Sequence, residues 1–148
     1  MLLTVIKRES NIYWYDLRTG ELVRELEGHT KAVYSLQYHP GSNRLATGSR
    51  DRDVLLWDMS TGECITKFTG HEFTVMSVQL DSRKLVSASG DQSIKVWDIA
   101  TSSCVSTLLK HSEVIMSIKA DDEKIVSGSA DKTVIVWDFL RPIKQYNE

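Results

Sequence analysis

The sequence has few of the residues that define several common classes of protein. It holds two cysteines, Cys64 and Cys104, and two prolines among its 148 residues. A small domain held together by disulfides is therefore not expected. No apolar run approaches the ~18 residues that a membrane-spanning helix needs. The apolar stretch at the start is too short for a signal peptide, and its charges follow it, so we expect a cytoplasmic or nuclear protein.

The sequence also lacks a large charge of either sign. Its formal net charge is −2 and its pI is near 6.1. This balance argues against a protein that binds nucleic acid or an anionic membrane through net charge. With 41% hydrophobic and 26% charged residues, the composition is that of a soluble globular protein with a sizeable core. We expect neither nucleic acid nor membrane as a partner.

The chain contains a motif that recurs at an even spacing. Trp57, Trp97 and Trp137 are each 40 residues apart, and each is followed by an aspartate. Tyr15-Asp16 stands 42 residues before the first of these pairs and is a degenerate earlier copy. An active site is usually needed once, whereas a structural unit that must be stacked is needed several times.

Other columns of the sequence keep the same period. A histidine, a serine or threonine, and an aspartate precede each tryptophan at nearly constant distances. Cys64 and Cys104 also fall 40 residues apart. We therefore interpret them as one position in two repeats, and we expect them to be small apolar packing residues and not a disulfide pair or part of a zinc site.

Within each copy, the local pattern is that of short β-strands. The stretches "AVYSLQY", "TVMSVQL" and "VIMSIKA" alternate apolar with polar or small residues. "DVLLWD", "SIKVWD" and "TVIVWD" are rich in branched and aromatic side chains and fit strands that are packed on both faces. Turn residues such as "HPGSN" and "STG" separate the strands. Each copy predicts four short antiparallel strands.

This arrangement resembles the WD-repeat β-propeller family, in which Gly-His precedes an acid and then Trp-Asp at the spacing found here. The resemblance covers about residues 2–139. It implies an all-β fold, a partial β-propeller of about 3.5–4 four-stranded blades, in one region that spans residues 1–148. The division we expect is a partial blade at 2–27 and repeats at about 28–69, 70–109 and 110–148.

The repeated polar residues admit two interpretations. Ser87, His71 and Asp91 have the residue types of a hydrolase triad. The same types occur in three copies, however, and the G-x-S-x-G pattern of a nucleophile elbow is missing. The family resemblance instead implies a buried hydrogen-bond relay. An indole N–H can only donate, a hydroxyl can accept and donate, and a carboxylate accepts, so Trp97 completes a directional chain through these residues.

We expect three complete relays and no catalytic residue, cofactor or metal ion. The predicted relay residues are His29, Thr47, Asp51 and Trp57; His71, Ser87, Asp91 and Trp97; and His111, Ser127, Asp131 and Trp137. The copy that ends at Tyr15 departs from the pattern, because Glu9 and Val5 occupy its acid and hydroxyl columns. We expect no relay there, and we also expect that copy to lack an innermost strand.

The number of blades leaves closure of the ring open. The last outer strand would come from "LRPIKQYNE", where Pro142 disfavours a regular ladder. Four blades alone would leave apolar surface and unpaired edges. Three hypotheses follow: a fragment of a longer propeller protein, a half-propeller that closes as a homodimer, or a small four-bladed ring.

The resemblance also implies where a partner binds. In this family, partners usually bind the face that is lined by loops before the inner strands. By position, this selects Tyr34, Met76 and Met116, together with Arg50 before its relay aspartate. Tyr and Arg are frequent hot-spot residues, and Met adapts to the shape of a partner. The alternative for Met76 and Met116 is that they only fill the central channel.

The function we expect is a non-enzymatic scaffold that binds a protein or peptide. The turns in "LDSRKLVS" and "ADDEKIVS" and the ending "VIVWDFLRP" are similar to those of F-box/WD-repeat receptors of ubiquitin ligases. Such receptors often read phosphorylated peptides with several arginines, whereas here only Arg50 holds such a position. A substrate receptor in ubiquitin ligation is therefore one hypothesis. A signalling adaptor of the G-protein-β type and a truncated, non-functional fragment are the alternatives.

Overall fold

The computed structural model describes residues 2–5 and 10–139, and these residues form four antiparallel β-sheets. The first sheet has three strands, in the order β1 (Leu2–Val5), β2 (Ile12–Tyr15) and β3 (Leu22–Leu26). The second sheet has four strands, β4 (Val33–His39), β5 (Arg44–Ser49), β6 (Val54–Asp58) and β7 (Cys64–Phe68). In both sheets, strands that are consecutive in sequence are neighbours in space.

The other two sheets repeat this meander. The third consists of β8 (Val75–Leu80), β9 (Lys84–Ser89), β10 (Ser93–Asp98) and β11 (Ser103–Leu109). The fourth consists of β12 (Ile115–Ala120), β13 (Lys124–Ser129) and β14 (Val134–Asp138). The described residues contain no helix, and thus none that is long and apolar enough to cross a membrane. The predicted all-β, partial-propeller fold is confirmed, while the predicted last outer strand in "LRPIKQYNE" lies outside the described residues.

The turn after the strand that ends at Asp58 follows from its local sequence. Asp58 accepts a hydrogen bond from the backbone N–H of Ser60 through its carboxylate, and from Gly62 through its carbonyl. Gly62 has a φ of 79°, in the left-handed region that glycine enters without steric cost. The "STG" sequence therefore reverses the chain and allows β7 to pair with β6.

Alternation along each strand divides the apolar side chains between two cores. In β6, Leu55 and Trp57 pack toward the first sheet, whereas Val54 and Leu56 pack toward the third. A third core lies between the third and fourth sheets and includes Ile94. Each fully buried side chain of this size contributes about 1.5–3 kcal/mol relative to an exposed one. The buried apolar side chains that stabilise the fold therefore lie between consecutive sheets.

The first strands of the second, third and fourth sheets lie beside one another. The hydroxyl of Ser35 accepts a hydrogen bond from the N–H of Val78 at 3.0 Å, and that of Ser77 accepts one from Ile118 at 3.2 Å. These two bonds link each inner strand to the next one. The serine column of the repeat thus holds the sheets around a common centre, as in a propeller.

The fourth sheet has an exposed apolar face on the side away from the third. Val126, Val134 and Val136 on this face are 38%, 71% and 57% exposed. The corresponding side chains of the third sheet are buried against the fourth: Val86, Ile94 and Val96. The repeat therefore presents at this end the same kind of surface that it buries between sheets.

Two glycines in the same column of the repeat show the difference between a covered and an open face. A Cβ atom on Gly48 would lie 2.5 Å from Cγ1 of Val75, so the third sheet leaves no room for a side chain there. A Cβ atom on Gly128 would meet nothing within 4 Å. Close packing therefore requires glycine at the first position only.

The prediction that Cys64 and Cys104 are packing residues is wrong. Both thiols are free and both residues are exposed. They lie near the start of β7 and β11, and among the described residues these are the outermost strands of their sheets. In β7 the buried side chain is that of Phe68 at the other end, so the cysteines lie outside the cores.

Candidate functional site

A continuous chain of hydrogen bonds crosses the second sheet. The indole Nε1–H of Trp57 donates to Oγ1 of Thr47 at 2.9 Å. The same oxygen lies 2.8 Å from Nε2 of His29, whose Nδ1 lies 2.8 Å from Oδ2 of Asp51. Trp57, Thr47 and His29 are buried. The structure therefore brings together all four residues that the sequence grouped.

The third sheet contains the same chain. Nε1–H of Trp97 donates to Oγ of Ser87 at 2.8 Å, and this oxygen lies 2.8 Å from Nε2 of His71. Nδ1 of His71 lies 2.7 Å from Oδ2 of Asp91. Serine replaces threonine here without a change in the geometry.

In the fourth sheet the chain is again complete but less deeply covered. Trp137 donates to Ser127 at 2.9 Å, Ser127 lies 2.8 Å from Nε2 of His111, and Nδ1 of His111 lies 2.7 Å from Asp131. Ser127 and His111 are buried, whereas Trp137 is partly exposed. Trp137 packs against the core between the third and fourth sheets.

The donors and acceptors at its two ends fix the direction of each relay. The indole of Trp57 can only donate, so Oγ1 of Thr47 accepts its hydrogen bond. At the other end, the carboxylate of Asp51 accepts from Nδ1 of His29, and Nε2 of the same ring lies against the hydroxyl of Thr47. Every polar side-chain atom of the relay that links these residues has a partner, and the relay ends on a carboxylate.

Each relay aspartate also holds two segments of backbone. Oδ2 of Asp51 accepts from the N–H of Thr30 at 2.9 Å, and Oδ1 accepts from the N–H of Asp53 at 3.0 Å. Asp91 and Asp131 repeat both contacts in their own sheets. The relay thereby fastens the loop before the first strand to the turn between the second and third strands.

The hydrogen bonds to the relay aspartates lower their pKa values. Burial alone would raise the pKa of Asp51, but the bonds from His29 and from the backbone of Thr30 and Asp53 lower it to about 2. Bonds from His71 and Ser93 likewise outweigh burial and hold the pKa of Asp91 far below its usual value. The carboxylates are therefore charged at neutral pH.

The triad interpretation does not fit the position of the hydroxyl. Ser87 is 0% exposed, and its oxygen is already engaged by Trp97 and His71. A nucleophile must reach a substrate, whereas this hydroxyl lies inside the packed sheet. The geometry is that of a structural relay.

The residues predicted to bind a partner lie at one edge of the sheets, which we call the upper edge. It consists of the loops before β4, β8 and β12, the starts of these strands, and the turns that follow β5, β9 and β13. The backbone N–H of Arg50 donates to the carbonyl of Ala32 at 2.9 Å, which places Arg50 beside the start of β4. Tyr34 and Met116 on this edge are 41% and 53% exposed, and Met76 is partly exposed.

A β-bulge explains why these side chains are available. The pairing of β4 with β5 passes from Val33–Ser49 to Ser35–Gly48, so that Tyr34 is the extra residue. Met76 and Met116 are the extra residues at the equivalent points of β8 and β12. A bulge locally turns a strand and redirects a side chain.

The sequence reasoning missed Phe73, which is 62% exposed on the upper edge. It follows Glu72 in the loop before β8, where Lys31 and Glu113 occupy the same column of the other repeats. The sequence does contain a sign of this exposed position, because the residue type in this column differs from one repeat to the next.

The expectation that the first copy has no relay falls partly on residues outside the described part of the chain. Glu9 lies outside the described residues, as do the side chains of β1. Tyr15, in place of the tryptophan, lies at the end of β2 and is partly exposed. The described first sheet has strands that correspond to the second, third and fourth of a complete blade.

Four meandering sheets, three of which contain a Trp–Ser/Thr–His–Asp relay, define a β-propeller repeat protein. Residues 20–58, 62–98 and 102–138 match the family model described as WD domain, G-beta repeat (WD40). These ranges cover most of the chain, which therefore belongs to the WD40 repeat family. Proteins with these repeats are generally non-enzymatic, and the repeats indicate a protein-interaction scaffold.

Removal of one relay hydroxyl tests its contribution to stability. Ser87→Ala leaves Nε1–H of Trp97 and Nε2 of His71 buried without partners. Because each such group costs about 1–3 kcal/mol, we expect the free energy of unfolding, measured by urea denaturation, to fall by ~2–5 kcal/mol. Ser127→Ala should cost less, since Trp137 is partly exposed.

Thr47→Ser is the matched control, because it keeps the hydroxyl and makes the second sheet like the other two. It removes one methyl group and should cost only about 1 kcal/mol. A Ser87→Ala variant that is no less stable than Thr47→Ser would contradict the role of the relay.

Proposed function

We propose that the chain is an interaction scaffold whose upper edge binds a protein or peptide partner. The observation that carries this proposal is the set of bulged side chains, of which Tyr34 and Met116 are 41% and 53% exposed. Directly beneath them, the relays fasten the loops to the turns. Little conformational entropy is then lost from the backbone when a partner binds.

The composition of the edge also supports binding. Tyr34 is an aromatic side chain of the type enriched in hot spots. Arg50, which belongs to the same repeat and the same sheet, is also exposed. The bulged column differs between repeats, as Tyr34 is aromatic whereas Met76 and Met116 are flexible thioethers. A surface that varies while its support is constant is suited to recognition of one particular partner.

We propose further that this partner recognition serves ubiquitin ligation, with the chain as a substrate receptor or adaptor. The support is the similarity of the turns around Asp81 and Asp121 to those of F-box/WD-repeat receptors. A signalling adaptor of the G-protein-β type is the alternative within the same class. The identity of captured proteins separates the two.

Affinity purification from cells with matched variants tests the scaffold proposal. Proteins captured by the wild type should be lost with the Tyr34→Ser/Met116→Ser variant, by at least ~10-fold, since two central contacts are removed. Val105→Ser is the control, because Val105 is 61% exposed but lies on the outer strand β11. Equal capture by wild type and the edge variant would contradict the proposal. Consistent absence of ubiquitin-ligase subunits would contradict only its finer part.

We also propose that a second copy of the chain covers the open face of the fourth sheet, as a homodimer. Val134 and Val136 are exposed there, although the equivalent residues of the third sheet are buried. Burial of an apolar face of this kind against another sheet is favourable, because it removes the side chains from water.

Light scattering of the purified chain tests self-association. We expect a dimer that dissociates when Val134→Lys and Val136→Lys place two charges on the face. Val105→Lys, on the outer strand, should leave the mass unchanged. A wild-type chain that is a stable, monodisperse monomer would contradict the dimer.

A further inference from the structure

Positive charge is concentrated at one part of the upper edge. Lys31, Arg50 and Arg52 belong to the second sheet's loop and turn, and all three are exposed. Within residues 2–5 and 10–139, none of the three takes part in an ion pair. The side chains are therefore available for an anionic ligand.

The carboxylates nearest in sequence are already engaged. Oδ2 of Asp51 is held by His29 and by the N–H of Thr30. Oδ2 of Asp53 lies 2.7 Å from Nζ of Lys67, on the neighbouring strand β7. Asp53 is thus paired with a cation of its own, which leaves Asp51 as the carboxylate of this turn that opposes Arg50 and Arg52. The local balance remains positive.

The repeat shows where Arg50 lies relative to the third sheet. Gly90 occupies the same position one repeat later, since its N–H donates to the carbonyl of Thr74 at 2.9 Å, as Arg50 does to Ala32. A Cβ atom on Gly90 would lie 3.4 Å from Cβ of Phe73 and 4.0 Å from Cγ1 of Val114. This position therefore stands between the loop of its own sheet and that of the next.

Equivalence of the two repeats then gives the order of side chains along the edge. Lys31 and Arg50 in the second sheet correspond to Phe73 and Gly90 in the third. Phe73 is 62% exposed, and Gly90 beside it has no side chain that could cover the ring. One step from sheet to sheet thus changes the upper edge from cationic to apolar.

The acidic side chains of the edge decide between two kinds of anionic ligand. Glu72 and Glu113 are exposed in the loops of the third and fourth sheets. A nucleic acid would carry its phosphates past these carboxylates and be repelled. A peptide can place carboxylates at one end and apolar side chains at the other.

We propose that the upper edge binds an extended peptide with an acidic segment next to a bulky apolar residue. The acidic segment lies on Lys31, Arg50 and Arg52, and the apolar side chain packs on Phe73 above Gly90. This inference rests on the proposed function, that of a scaffold with its binding surface at the same edge, and specifies the chemistry of the partner.

A phage library of short random peptides, selected on the wild-type chain, tests the proposal. We expect the selected peptides to be enriched in Asp and Glu beside an aromatic or aliphatic residue. Their binding, measured by fluorescence anisotropy, should weaken as salt concentration rises. The Arg50→Ala/Arg52→Gln variant should bind them at least ~10-fold more weakly, since it removes two of three cations.

The sister repeats supply replacements that the fold already accepts. Alanine occupies the position of Arg50 in the fourth sheet, as Ala130, with the same backbone bond at 2.9 Å. Glutamine occupies the position of Arg52 in the third sheet, as Gln92, with a φ of 70° against 79°. The variant should therefore unfold at the wild-type urea concentration.

The outcomes separate this inference from the function on which it rests. Neutral or basic peptides that lose binding with Phe73→Lys or Tyr34→Ser would overturn the acidic partner but leave the scaffold. Acidic peptides that bind the Arg50→Ala/Arg52→Gln variant as well as the wild type would also overturn it. A selection with no peptide that depends on the upper edge would contradict both proposals.

Discussion

In each sheet that contains a relay, the arrangement of the strands and loops depends on one atom, the hydroxyl oxygen of Thr47, Ser87 or Ser127. It accepts from an indole on the third strand and lies 2.8 Å from an imidazole in the loop before the first strand. A buried polar group without a partner would cost about 1–3 kcal/mol. The relay therefore stabilises the blade only when all of its members are present. It fixes the second strand, the third strand and the loop before the first strand relative to one another.

This constraint separates the residues that hold the structure from those that are free to vary. Asp51 is fixed by four partners, whereas the bond that the structure describes for Arg50, its neighbour, is that of its backbone N–H. Gly90 occupies the position of Arg50 in the next repeat, and its backbone N–H makes the same hydrogen bond. The fold can thus carry a different side chain in each repeat at the same place, and this freedom underlies our proposal that the upper edge is a recognition surface.

Much of the fold could be predicted from the sequence because the repeat supplies three readings of every position. The stretches "DVLLWD", "SIKVWD" and "TVIVWD" contain β6, β10 and β14, and the partners within each relay follow from donor and acceptor chemistry. Exposure was harder to predict. The burial of a cysteine near the start of β7 depends on whether another strand covers it, which the local pattern does not contain.

The bulges and the contacts between sheets could not be predicted from the sequence either. Alternation predicts which face a side chain takes, but an extra residue such as Tyr34 shifts the alternation by one. Glycine at position 48 is explained only by Val75 of the next sheet, because the identical residue at position 128 faces open space. Such features arise from tertiary packing and not from local preference.

The central claim is that buried relays lock each blade, and exchange of the indole protons tests it directly. Trp14 is the internal reference, because its indole makes no hydrogen bond among the described residues, whereas those of Trp57 and Trp97 donate to buried hydroxyls. In ¹⁵N-resolved hydrogen-exchange spectra, we expect Nε1–H of Trp57 and Trp97 to exchange orders of magnitude more slowly than that of Trp14. Exchange of all three at the same rate would contradict the account.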